Sequence, residues 1–148
     1  MLANLLRRLA APRLDDGPLP ADETQVAVAA LLVTAAHADD HYLDSERLQI
    51  ERVLAARYGL SPAAAAALRA DGEAAEAAAT DLYRFTALIK KGVPYEERAA
   101  VIEALWRVVL ADNDRAPDEE ALMRRVTDLL GLDPRDSIEA RRKVEAGG

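Results

Sequence analysis

An all-α fold, a single compact bundle of about seven helices built around a duplicated helix–loop–helix unit, follows from three features of this 148-residue chain. Apolar residues recur at helical spacing along every long segment. Alanine is abundant while aromatic residues make up only 4%, which favours thin, closely packed helices over strands. A stretch of the first half also reappears in the second: a shift of 73 residues (28 to 101) carries Val28 onto Val101, Leu32 onto Leu105, Asp39 onto Asp112, Glu46 onto Glu119 and Val53 onto Val126.

Residues 1–20 form a short segment and linker ahead of the body. Within Met1–Ala11, Leu2, Leu5, Leu6 and Leu9 share one helical face and Arg7 and Arg8 lie between them, an amphipathic pattern suited to folding back on the domain or to peripheral membrane contact. Pro12, Pro18 and Pro20, with Gly17 and two aspartates, mark the linker. A helical domain then spans residues 21–146.

Its first repeat covers about 25–60, with Val26, Ala30 and Val33 on one helix and Leu48, Ile50, Val53 and Leu54 on the next. Two inserted helices, Ser61–Ala70 and Glu73–Lys91, fill 61–91, and Gly92-Val93-Pro94 ends them. The second repeat covers about 97–132, with Val101, Leu105 and Val108, then Leu122, Val126, Leu129 and Leu130. A C-terminal helix, 133–145, closes the chain. Gly59 and Gly131 follow apolar runs as helix stops, and Ser61-Pro62 and Asp133-Pro134 each pair an N-cap with proline at the first helical position. The expected core includes Val33, Phe85, Leu105, Trp106 and Leu129, with Asp81, Tyr83 and Arg84 as a polar brace on the central helix.

Candidate function sits in the two inter-helix turns. The first reads Ala38-Asp39-Asp40-His41-Tyr42-Leu43-Asp44-Ser45-Glu46, the second Ala111-Asp112-Asn113-Asp114-Arg115-Ala116-Pro117-Asp118-Glu119. A glutamate in the first turn of a helix is favoured by the helix dipole, whereas Asp39 and Asp112 at the end of the preceding helix meet carbonyls that already carry negative charge. A cation reverses that cost, because carboxylates and carbonyls together make the oxygen-rich environment that calcium, magnesium or manganese prefers. The candidate ligands are therefore Asp39, Asp40 and Glu46 in the first turn and Asp112, Asp114 and Glu119 in the second. His37 and His41 flank the first and extend its range to manganese and, less favourably, zinc. Neither turn has the central glycine or terminal glutamate of a calcium-binding EF-hand loop, so the expected affinity is weak. Solvated turn aspartates and N-caps are the plain alternative.

Composition narrows the rest. The absence of cysteine removes disulfides, thiolate metal sites and thiol nucleophiles. A net charge of −7 disfavours a phosphate backbone, so nucleic acid is not an expected partner. No apolar run approaches the roughly 20 residues of a membrane span, and no secretory leader is evident, so the expected location is cytoplasmic. No nucleophile–base pair and no Glu-x-x-His motif are present, which argues against an enzyme.

The two acidic turns, the central stretch Thr80-Asp81-Leu82-Tyr83-Arg84-Phe85-Thr86, and Glu103-Ala104-Leu105-Trp106 before the second turn resemble the TerB-like family associated with tellurite resistance, over roughly Gln25 to Arg142. The resemblance implies an all-helical, non-enzymatic stress-response module with a divalent-metal surface at Asp39, Glu46, Asp112 and Glu119. A related domain of DnaJ-type co-chaperones implies an alternative, a docking domain with an acidic face and a protein partner. A metal-assisted hydrolase is the second alternative. The glycine usual after the first aspartate of each turn is Asp40 and Asn113 here, residues that tolerate left-handed backbone angles.

Overall fold

A computed structural model describes residues 21–37, 42–79, 82–111 and 117–147. Among these residues lie seven α-helices and no strand: α1 Ala21–His37, α2 Asp44–Tyr58, α3 Pro62–Ala78, α4 Leu82–Gly92, α5 Arg98–Leu110, α6 Pro117–Leu129 and α7 Pro134–Gly147, with one 3-10 turn at Tyr95–Glu97. No helix of the described residues is long and apolar enough to cross a membrane.

The bundle is organised around α1. Every residue from Val26 to Val33 is fully buried, and Ala35 and Ala36 continue the run. A helix apolar on all sides must be surrounded, and α1 packs against α2, α3, α4 and α5. Its most extensive interface is with α3, whose buried residues Ala65, Leu68, Gly72 and Ala75 alternate in steps of three and four along one face. They are small, so the two backbones approach closely. A Cβ placed on Gly72 would stand 2.7 Å from Ala29 Cβ and 2.8 Å from the Ala29 carbonyl carbon.

That contact corrects the sequence reading of the inserted helices. Gly72 is a packing position inside one continuous helix and not a break, so the first inserted helix extends to Ala78 and the second begins at Leu82. Ala79, in extended conformation, ends α3.

The other junctions follow the expected chemistry. Gly59 and Gly131 adopt φ of +65° and +77°, the left-handed angles of helix C-caps. Leu60 N–H then bonds to Ala55 C=O and Leu132 N–H to Thr127 C=O, so both exits share one hydrogen-bonding pattern. Ser61 Oγ accepts from Ala64 N–H, and Asp133 and Asp136 cap the start of α7 reciprocally. Arg98, at the start of α5, joins the ends of α4 and α6 by donating to the carbonyls of Lys90, Val93 and Leu130, where C-terminal dipoles favour a cation.

Val33, Phe85, Leu105 and Trp106 are buried as expected. Leu129 is only half-buried, because the inward face of α6 runs through Met123, Val126, Thr127 and Leu130. Leu48 is 50% exposed, since α2 turns Ile50, Val53 and Leu54 to the core. Tyr83 is 60% exposed and so makes no buried brace; Asp81 lies outside the described residues.

Candidate functional site

The first turn leaves α1 at His37 and enters α2 at Asp44, and α3 runs beside both ends. Three charged residues of α3, Arg69, Glu73 and Glu76, are spaced four and three apart and share one face of an otherwise alanine-rich helix. They hold the two ends of the turn. Glu76 Oε2 lies 3.1 Å from His37 Nδ1 at the end of α1. Glu73 accepts a 2.5 Å hydrogen bond from the Tyr42 hydroxyl just before α2. Arg69 spans Glu73, at 2.8 Å, and Glu51 of α2, at 2.7 Å.

Arg47 closes the arrangement from the α2 side. It pairs with Asp44 at 2.9 Å, approaches Glu73 at 3.6 Å, and places its guanidinium 4.7 Å from the centre of the Tyr42 ring. The His37 and Tyr42 rings meet edge-on, 4.5 Å apart. The titration of these groups is mutually consistent. Burial raises Tyr42, and the hydrogen bond to Glu73 with its negative charge raises it further, so the phenol stays neutral. Burial opposes ionisation of Glu73, but hydrogen bonds from Tyr42 and Arg69 outweigh it and hold the carboxyl below its ordinary range. Burial likewise disfavours the Arg69 cation, and its two carboxylate partners more than compensate.

The chemistry this leaves at His37 is specific. A carboxylate can only accept, so His37 Nδ1 carries the shared proton, and Nε2 is the ring nitrogen left outside this contact. The side chain is 40% exposed and thus accessible. A histidine oriented through one ring nitrogen by a carboxylate is the usual support for metal ligation through the other.

Of the remaining sequence candidates, Glu46 occupies the first turn of α2, where its Oε1 accepts from Leu43 N–H and caps the helix. Glu119, at the equivalent place in α6, is only 3% exposed. Asp39, Asp40, His41, Asp112 and Asp114 lie outside the described residues. Among the described residues no three histidine, aspartate or glutamate side chains converge as a ready ligand set. The helices are described to His37 and Leu110, short of Asp39 and Asp112.

Sequence reasoning missed Arg69, Glu73, Glu76 and Tyr42. Their signal was present in the charged stripe at 69, 73 and 76 on an alanine helix, but only the fold shows that this stripe faces the first turn.

Residues 25–142, from the first turn of α1 into α7, match the family described as tellurite resistance protein TerB. The chain belongs to the TerB family. Its resemblance to that family was carried by the acidic turns, the stretch Thr80–Thr86 and Glu103–Trp106, and the match reaches from within α1 to within α7. Comparison with curated proteins gives no match. This TerB-family chain is also similar in fold to the crystal structure of a protein of unknown function from Porphyromonas gingivalis W83, with 18% identity, a TM-score of 0.63, and coverage of 91% of this chain and 97% of that one.

Proposed function

We propose that the chain is a non-enzymatic TerB-family module, associated with tellurite resistance or a related stress response, that binds a divalent cation at its inter-helix turns. The reading is supported chiefly by the His37–Glu76 pair, which orients an imidazole at the mouth of the more acidic turn. In this account His37 Nε2, with Asp39, Asp40 and His41 of the same turn and Glu46, supplies the ligand set. The mixed nitrogen–oxygen chemistry favours manganese, and zinc less so, over calcium or magnesium. Asp112, Asp114 and Glu119 form the second, all-oxygen set, suited to calcium or magnesium. Binding is weak, in the range of about 10⁻⁶ to 10⁻³ M, because neither turn has the ligand pattern of a high-affinity calcium loop.

Calorimetric titration with manganese, zinc, calcium and magnesium tests this reading. Asp39→Asn with Asp112→Asn is expected to abolish the heat of binding and to leave the metal-free protein equally or more stable, because it removes negative charge near two helix C-termini. The absence of heat and of any thermal shift with all four ions would overturn it.

A second reading, protein docking, is favoured by a different observation. A groove of about 320 Å³ opens between α6 and α7, floored by Met123 and Trp106, with Ile138 half-exposed at its edge and Glu120 and Asp128 among its acidic groups. Trp106 Nε1 donates to Ser137 Oγ at 3.1 Å, and the Arg141 guanidinium sits 5.0 Å from its ring centre. An apolar segment with a polar rim fits such a surface. Cation titration separates the readings, since docking at this groove requires no metal.

A further inference from the structure

On a chain with a net charge of −7, one concave surface is cationic. A groove of about 520 Å³ lies between α2 and α5. Its floor is short-chained, Val53 and Ala56 from one helix and Ala100 and Ala104 from the other, which makes the depression. Arg52 and Arg57 of α2 and Arg107 of α5 line it. None of the ion pairs among the described residues involves these three arginines. Arg57 Nε donates to the Tyr58 hydroxyl at 3.2 Å, with its guanidinium 5.4 Å from the Tyr58 ring centre, which leaves its terminal nitrogens uncommitted.

The groove's single carboxylate does not neutralise them. Glu103 is 19% exposed and pairs with Lys143 of α7 at 3.3 Å. Gln49 adds an amide at the far end, its Nε2 lying 3.5 Å from the Arg107 carbonyl oxygen. Three arginines line one concavity, and like charges brought near one another repel, a cost that a bound anion offsets. The volume lies in the range of small-ligand sites. Guanidinium forks match the tetrahedral oxygens of phosphate through paired N–H···O bonds.

We propose that the α2–α5 groove is a binding site for a small phosphate-bearing anion, held by Arg52, Arg57 and Arg107. Anion binding at this groove does not depend on a cation at the acidic turns. Pyrophosphate is the probe, titrated at constant ionic strength into protein labelled for detection of arginine Nε–H signals. The expected result is a saturable shift of the Arg52, Arg57 and Arg107 signals. Arg52→Gln with Arg107→Gln, two exposed positions whose replacement leaves the core untouched, is expected to weaken binding at least tenfold with an unchanged melting temperature. Arg124→Gln with Arg135→Gln, off the groove, is expected to bind as the parent does. No saturable shift, or equal loss in both double variants, would overturn the site. Equal binding of citrate would overturn its assignment to phosphate.

Discussion

Gly72→Ala sets helix propensity against packing at the centre of the bundle. In an open helical position the change favours the folded state by about 1 kcal/mol. Here the added methyl meets Ala29 Cβ at 2.7 Å, the Ala29 carbonyl carbon at 2.8 Å and the Ala30 nitrogen at 3.0 Å. Two of these neighbours are backbone atoms of a helix buried on all sides, so no side chain can rotate away. Overpacking of this kind costs about 1–3 kcal/mol, and the rigidity of the contact puts this case at the upper end. The net expectation is a loss of about 1–2 kcal/mol, which lowers the melting temperature by about 2–8 °C in a domain of this size. Glu73 and Glu76 lie one and four residues beyond Gly72, so displacement of α3 from α1 also loosens the hold on His37 and Tyr42. Thermal unfolding followed by circular dichroism measures the first effect. An unchanged or raised melting temperature would refute the close approach of α1 and α3 and, with it, the account of why α3 runs through Gly72 without a break.

Glu73→Gln removes the negative partner of Tyr42, Arg69 and Arg47 while keeping its size, at an expected cost of about 1.5–3 kcal/mol at neutral pH. Because the folded-state pKa of Glu73 is lowered, its contribution is complete above the unfolded value of about 4.3 and is lost as pH falls through the folded value. Denaturant titrations of parent and variant should therefore differ at pH 7, begin to approach one another as pH falls below about 4.3, and converge only below the folded-state value; a gap independent of pH would contradict the assignment. Trp106→Ala should cost about 3–5 kcal/mol in chemical unfolding, the range for deleting a large core aromatic. A loss below about 1 kcal/mol would identify Trp106 as a surface group rather than part of the core.

The fold was legible where the signal is local. The left-handed glycines at 59 and 131, the Ser61 and Asp133 caps and the apolar stripes of α4 and α5 each specify their own segment. Reading failed where a residue's meaning depends on a neighbour distant in sequence. Gly72 looks like a helix breaker until α1 is placed against it. Leu48 and Leu129 fit an apolar period but sit at the margin of the buried face, which the position of adjacent helices decides. The candidate site divides in the same way. His37 and Glu46 were identifiable from their place beside acidic residues, whereas Glu73 and Glu76 hold the turn from 31 and 39 residues away along the chain. No short-range pattern connects them.

The central claim is that His37 is a ligand oriented by Glu76, and imidazole nitrogen resonances test it most directly. On addition of substoichiometric manganese, the account predicts selective broadening of the His37 Nε2 signal, with His41 broadened alongside it. Zinc should shift the same signal without broadening. Glu76→Gln, which leaves the ring in place but removes the charged acceptor at Nδ1, should weaken the affinity by about 10- to 100-fold. A His37 signal unaffected by millimolar manganese or zinc, or affinity unchanged by Glu76→Gln, would contradict the account.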